Sequence, residues 1–231
     1  MNKSLKEKMR EWYAGEKEKL REKTPAQKAD YIIRYYWIWI LAIGFGIYFT
    51  CFAVYRMNFV PHENWLYGIF ANTMGPGGNR SELWYDFADY AGFDLNEKNL
   101  EFVASSWFDP SKTGGTNNSY FQSFVAVTEA GTLDFVTMEE EGLRAIGSSG
   151  RLLDLNADSC KSIREKYEDR FVYCIPYDEA YSTEEVPVGI DLSDSLLVTK
   201  YGLYDESCVL GIGAYSGNLE NVELFLEFVL G

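Results

Sequence analysis

The 231-residue sequence has one histidine, His62, and four cysteines, at positions 51, 160, 174 and 208. No Cys-x-x-Cys occurs, so the paired-ligand spacing of a zinc site is missing. A Ser–His–Asp arrangement would have to use His62, for which no neighbouring residue argues. G-x-S-x-G, H-E-x-x-H and Walker A patterns are absent as well. Basic residues are scarce over most of the chain: residues 57–231 carry ten Lys/Arg against 29 Asp/Glu, or −19. Such an acidic surface repels phosphate backbones and excludes nucleic-acid binding there. Carboxylates are so abundant that an acid/base pair among them carries little weight. The expectation is a protein that is not an enzyme and uses no cofactor or metal. No internal repeat appears, and only the charged N-terminus has low complexity.

The chain does contain one long uncharged run, Tyr35 to Tyr55, bounded by Arg34 and Arg56. As a helix it reaches roughly 30 Å, the thickness of a bilayer's hydrocarbon core. Its first residues, Tyr35, Tyr36, Trp37 and Trp39, suit an aromatic belt. Ala42 and Gly46 have the spacing that admits close approach of another helix. Residues 1–34 carry ten Lys/Arg against six Asp/Glu, or +4. Lys and Arg crowding one flank place that flank in the cytoplasm, so the acidic remainder is expected outside. The charged stretch before the run is too long for a cleaved signal peptide, and no A-x-A-like site follows. Tyr48, Phe49 and Thr50 ahead of Cys51 do not make a lipobox. An uncleaved signal anchor is therefore expected. Its parts are a cytoplasmic basic segment (1–34), a transmembrane helix (35–55), a linker (56–64) and an extracytoplasmic domain (65–231).

Thr24-Pro-Ala-Gln27 is a capping box with proline at the first helical position, so the membrane helix should begin at Pro25. Before it, Lys- and Glu-rich residues 3–23 read as a solvated segment that can be helical, with Trp12 and Tyr13 available to headgroups or a partner. The short connection MNFVPHEN keeps the outer domain near the membrane. In that domain WLYGIFAN, LEFVASSWF, LDFVTM, LLDL, FVYCIP, VPVGIDL and CVLGIGAY read as strands. Helices are expected after Ser81 up to Gly92, after Asn118 or Ser119 up to Gly131, and over Glu139–Ile146. Two more are expected near Ser159–Glu168 and over Asn218–Leu230. One cysteine pair has scope to bridge, Cys160 with Cys174 foremost, although spacing does not fix connectivity.

Strands alternating with helices imply an α/β fold: an open, mostly parallel sheet with helices on both faces. About 170 residues suffice for one such core. Ligands of open α/β sheets bind beyond the carboxyl ends of strands. Those ends supply Asn72 and Thr73, Ser106 and Asp109, Met138 and Glu139, Tyr177, and Asp191 with Asp194 and Ser195. Each also has an ordinary reading as a turn or cap residue. Asp109-Pro-Ser-Lys-Thr-Gly114 opens like an EF-hand loop but has Tyr120 where a bidentate Glu is needed. Gly211-x-Gly213 and Gly217 lack dinucleotide-fingerprint spacing and read as a strand followed by a helix-start turn.

Residues 126–158, AVTEAGTLDFVTMEEEGLRAIGSSGRLLDLNAD, resemble extracytoplasmic solute-binding proteins of the type 2 periplasmic-binding fold. The likeness is carried by Ala130, Gly131, Leu133, Asp134, Gly150, Leu152, Asp154 and Leu155. The ending GIGAYSGNLENVELFLEFVL resembles the same family's closing strand and helix. The N-terminal layout resembles single-span proteins of Firmicutes. The resemblance covers about half of the outer domain and implies one lobe of such a protein, in a short membrane-anchored form. It implies a binding protein for a small-molecule solute or a membrane transporter subunit. The alternative is a structural or regulatory subunit whose outer domain docks a protein without any small ligand.

Overall fold

The computed structural model describes residues 5–21, 23–59, 64–92, 94–95, 97–177 and 184–231. His62 and the middle of the expected linker, residues 60–63, lie outside them. The chain divides into two compact units, residues 1–60 and 61–231.

The first unit is a pair of helices, α1 (Leu5–Arg21) and α2 (Pro25–Phe59). The capping box forms: Thr24 N–H donates to Gln27 Oε1 at 3.1 Å, and Gln27 N–H donates to Thr24 Oγ1 at 3.5 Å. These bonds satisfy amides that the first helical turn leaves without partners. From there α2 runs 35 residues without a break. Residues 25–56 make one helix long and apolar enough to cross a membrane, and none of its apolar window is buried within the protein. Thr50 turns its hydroxyl back onto Gly46 O at 2.8 Å, so the run exposes no unpaired hydroxyl there. The expected 34/35 boundary does not interrupt the helix, which also continues to Phe59, past the expected linker start at 56.

The second unit contains β1 (Asn64–Ala71), α3 (Glu82–Ala91), β2 (Asn99–Ser106), α4 (Ser119–Glu129), β3 (Phe135–Met138) and α5 (Glu140–Ser148). After these come α6 (Lys161–Tyr167), β4 (Phe171–Cys174), β5 (Val186–Asp191), α7 (Leu196–Thr199), β6 (Val209–Ile212) and α8 (Leu219–Leu230). The strands form one open sheet in the order β2-β1-β3-β6-β5-β4. β1 pairs in parallel with β2 and β3, while the β3–β6, β6–β5 and β5–β4 ladders are antiparallel. Four strands thus share a direction, but the sheet is mixed. The sequence pattern misses this because β6 returns between β3 and β5 with a reversed direction.

Local signals set the boundaries. Ser81 accepts from Trp84 N–H at 3.2 Å and opens α3, and Gly92 closes it in the left-handed region at φ 68°. Asn118 opens α4 by accepting from Phe121 N–H at 2.9 Å. Alternate residues of each strand enter two cores, one on each face of the sheet. Leu66, Phe70, Phe102, Phe135, Leu210 and Ile212 pack with α3 and α8. Ile69, Val136, Met138, Val188 and Val209 pack with α4 and α5. Gly68 is required because a Cβ there would collide with the Phe135 ring.

Two further expectations change, and one is refined. LLDL forms only an isolated bridge, Leu152 to Gly213. The helix near Ser159–Glu168 is α6 flanked by 3-10 turns at Asp158–Cys160 and Glu168–Arg170. The Cys160–Cys174 disulfide is absent: both are free and buried, and they belong to cores on opposite faces of the sheet.

Phe225 joins the first core most tightly, stacking on Phe135 at 4.6 Å and meeting Phe87 edge-on at 5.2 Å. Phe225→Ala is expected to cost about 3–5 kcal/mol in denaturant unfolding. Cys160, Cys174 and Cys208 are expected to resist thiol reagents in the native protein and to label as free thiols once unfolded without reductant. Labelling of fewer than these three after unfolding would contradict the arrangement.

Candidate functional site

β1, β2, β3 and β5 all finish at one end of the sheet. That end brings together Asn72, Thr73, Ser106, Asp109, Met138, Glu139, Asp191, Asp194 and Ser195. Tyr177 is not among them. It follows β4, which leaves the sheet where β5 begins, as the Cys174–Val186 pairing requires. Its N–H instead donates to Ser148 O at 2.7 Å, beyond the end of α5.

Most of the gathered side chains are already bonded within the protein. Asn72 has φ 58°, and its side chain clamps Phe108 from both sides: Nδ2 donates to Phe108 O at 2.8 Å and Oδ1 accepts from Phe108 N–H at 3.0 Å. Thr73 is buried, its hydroxyl donating to Ala104 O at 3.0 Å. Met138 lies in the second core. Asp191 Oδ1 accepts from the Ser193 amide at 3.0 Å and hydroxyl at 2.6 Å. Asp194 takes the Arg170 guanidinium in a two-pronged pair at 2.6 and 3.0 Å, and that hydrogen-bonded charge holds its carboxyl below the usual range. Ser195 is buried and caps α7.

Asp109, the first oxygen of the EF-hand-like opening, is bonded within its own loop. Its Oδ2 lies 2.6 Å from Lys112 Nζ, and its Oδ1 accepts from the Ser111 amide at 3.0 Å and from the Ser111 hydroxyl. Burial pushes this carboxyl up, but Lys112 and Ser111 outweigh it and hold it low. The exposed Lys112 ammonium thus neutralises the Asp109 carboxylate within its own loop. Among the described residues no group of three His, Cys, Asp or Glu is placed to hold a metal. Glu139, exposed ahead of α5 without a cap bond, is the one candidate carboxylate here with no side-chain hydrogen bond or close ion pair among the described residues.

β1 leads through α3 to β2 on one side, and β2 returns through α4 to β3 on the other side of β1, so the switch point of the topology lies between β1 and β3. That is where an open α/β sheet offers its crevice. Here the crevice is filled by the chain itself. The Tyr204 hydroxyl lies 3.1 Å from Ala71 O, 2.9 Å from Thr137 O and 2.9 Å from Thr137 Oγ1. Met74 N–H donates to Leu203 O at 2.9 Å. A Cβ at Gly75 would come within 2.9 Å of Gly202 O, so the two segments touch backbone to backbone. Leu203 and Tyr204 are both buried, and burial drives the Tyr204 phenol well above its ordinary value. The segment KYGLYDESC has no periodicity, so nothing in the sequence marks Tyr204 as the plug.

The other end of the sheet carries an open cavity of about 370 Å³ between Ser159 and residues 216–221. Beside it lies the buried Asp134. Its carboxylate accepts from Tyr67 N–H at 2.7 Å, from the Ser216 hydroxyl at 2.7 Å and from Asn218 Nδ2 at 3.2 Å. Burial raises this carboxyl, and the three donors only partly offset that.

The chain matches no family model, and no curated protein or solved structure matches it.

Tyr204→Phe is expected to lower unfolding free energy by about 1–3 kcal/mol, because it removes the one buried O–H that the Ala71 and Thr137 oxygens share. Alkali should also destabilise the domain. Tyr201 is pushed up to about 12, first by burial and then by its bond to Asp86. Its phenol therefore stays protonated in the fold after the unfolded chain has ionised. Stability present below pH 10 should fall as pH rises towards 12, and Tyr201→Phe should flatten that fall in thermal melts.

Proposed function

We propose that this chain is a single-pass membrane protein whose acidic α/β domain lies outside the cytoplasm and docks a protein partner, a transporter subunit being the type of partner favoured. The domain is not an enzyme in this reading. The filled crevice between β1 and β3 carries it: the place where such a sheet would take a solute is occupied by Leu203 and Tyr204. Orientation rests on the +4 flank before the apolar run, which the cytoplasmic side retains.

The likeness to one lobe of a type 2 solute-binding protein fits this reading as a likeness of fold. The residues that carry it have architectural duties. Gly131 and Gly150 adopt left-handed backbone, Asp134 is buried among donors, Leu152 and Leu155 are in the cores, and Asp154 accepts from the Asn156 amide at 2.8 Å. Residues of this sort specify a chain path and do not select a ligand.

Crosslinking in intact membranes followed by purification is expected to recover a stoichiometric membrane partner. Recovery should survive Glu139→Gln and Asp191→Asn at the strand ends. A reproducible rise in melting temperature with an amino acid, sugar or peptide would favour solute capture and sink the docking proposal. Protease added to intact cells should remove the acidic domain, and protection of the domain would reverse the orientation.

A further inference from the structure

We infer that the cleft between α1 and α2 is a binding site for the phosphate headgroup of an anionic phospholipid, held by Lys17, Arg21 and Lys28. The inference rests on α2 crossing a bilayer and adds a lipid partner to that reading. The cleft measures about 800 Å³, and its lining joins these three cations to Tyr13 and Leu20. That volume is in the range of small-ligand sites. The cations are uncommitted, with no ion-pair partner among the described residues. Lys19, by contrast, is paired with Glu16 at 2.8 Å, and Lys23 lies over the Tyr31 ring at 4.1 Å.

Two carboxylates also line the cleft, Glu16 and Glu18. Glu16 is held by Lys19 and by the Tyr31 hydroxyl at 3.1 Å, which keeps its carboxyl below the ordinary range. Among the described residues, three free cations therefore face one free carboxylate, an excess that suits a phosphate. Arg21 supplies a planar fork for two phosphate oxygens, and the two lysines supply point charges.

The helix pair sets the depth. Trp12 meets Tyr36 edge-on at 6.4 Å while Glu16 receives the Tyr31 hydroxyl, so α1 folds back antiparallel beside the start of α2. Lys28 stands seven residues before Tyr35, where the uncharged run begins. At the helical rise this is about 10 Å. The polar layer beyond the hydrocarbon is about 5–8 Å thick on each side, and a lysine stem covers the difference. Free phosphate offers the same oxygens but lacks the acyl chains that hold a lipid at this height.

The test uses the full chain in nanodiscs of phosphatidylcholine containing a minor fraction of phosphatidylglycerol, with lipid retained after detergent washing counted by mass spectrometry. Retained lipid should be enriched in phosphatidylglycerol. The enrichment should fall about fivefold for each of Lys17→Gln, Arg21→Gln and Lys28→Gln, the equivalent of the ~1 kcal/mol a basic residue gains at an anionic surface. Lys17→Arg and Lys28→Arg should retain it. So should a variant with Lys6, Lys8 and Arg10 all changed to Gln, which removes three charges from α1 outside the cleft. Equal loss in that last variant, or no enrichment in the unaltered protein, overturns the inference. Glycerol phosphate that strips the lipid at millimolar concentration would assign the site to free phosphate and overturn it too. Alkaline carbonate extraction reads the anchor separately. Release of the chain refutes membrane crossing, whereas a retained chain without enrichment refutes the headgroup site alone.

Discussion

The second unit depends on one buried carboxylate. Asp134 opens β3 with its side chain wholly inside the protein, and it draws donors from β1 and from the turn before α8. Its backbone does the same work: its N–H donates to Tyr67 O at 3.0 Å, and its carbonyl receives Gly213 N–H at 3.0 Å. A single residue therefore ties the first strand, the central strand and the closing strand together where the sheet changes from parallel to antiparallel pairing. Isolated burial of such a group would be costly, and the ring of donors is what makes it tolerable. α8 consequently enters at a fixed point, and its Phe225 reaches the centre of the aromatic core.

Much of this architecture is written locally. Ser81 and Gly92 bracket α3, Asn118 and the left-handed Gly131 bracket α4, and Thr24 with Gln27 starts α2, because each signal acts within a few residues. Strand existence was legible in the same way, from short apolar runs such as FVTM and VLGI, which are buried at every position. Strand direction was not, because nothing in four residues of β6 encodes which way it runs. The four-residue α7 was also invisible, being too short for a periodic signature. Cys160 and Cys174 are close in sequence and suggest a bridge, yet the sheet itself lies between the two cores that hold them.

The candidate site divides along the same line. The rule that strand ends converge located Asn72, Asp109, Glu139 and Asp191 at one end, and it misplaced Tyr177 only because β4 is reversed. Which of those side chains remain available depends on partners distant in sequence. Arg170 claims Asp194 across 24 residues, and Tyr204 reaches Ala71 across 133. Long-range satisfaction of this kind leaves no trace in spacing. A strand-end inventory therefore yields location without availability.

The side chain of Asn72 does something that an inventory of loops would overlook. With its backbone turned into the left-handed region, its amide offers Phe108 a donor and an acceptor, just as a neighbouring strand would. In effect the β1–β2 ladder gains a rung made by a side chain after the main chain has turned away. The loops that leave the two strands are thereby geared together. An insertion or deletion in either must preserve the distance from residue 72 to residue 108, or both come loose. New surface chemistry at this end of the sheet would therefore arise most readily by substitution at positions that already point outwards, Trp107 and Glu139 among them, and least readily by changing loop length.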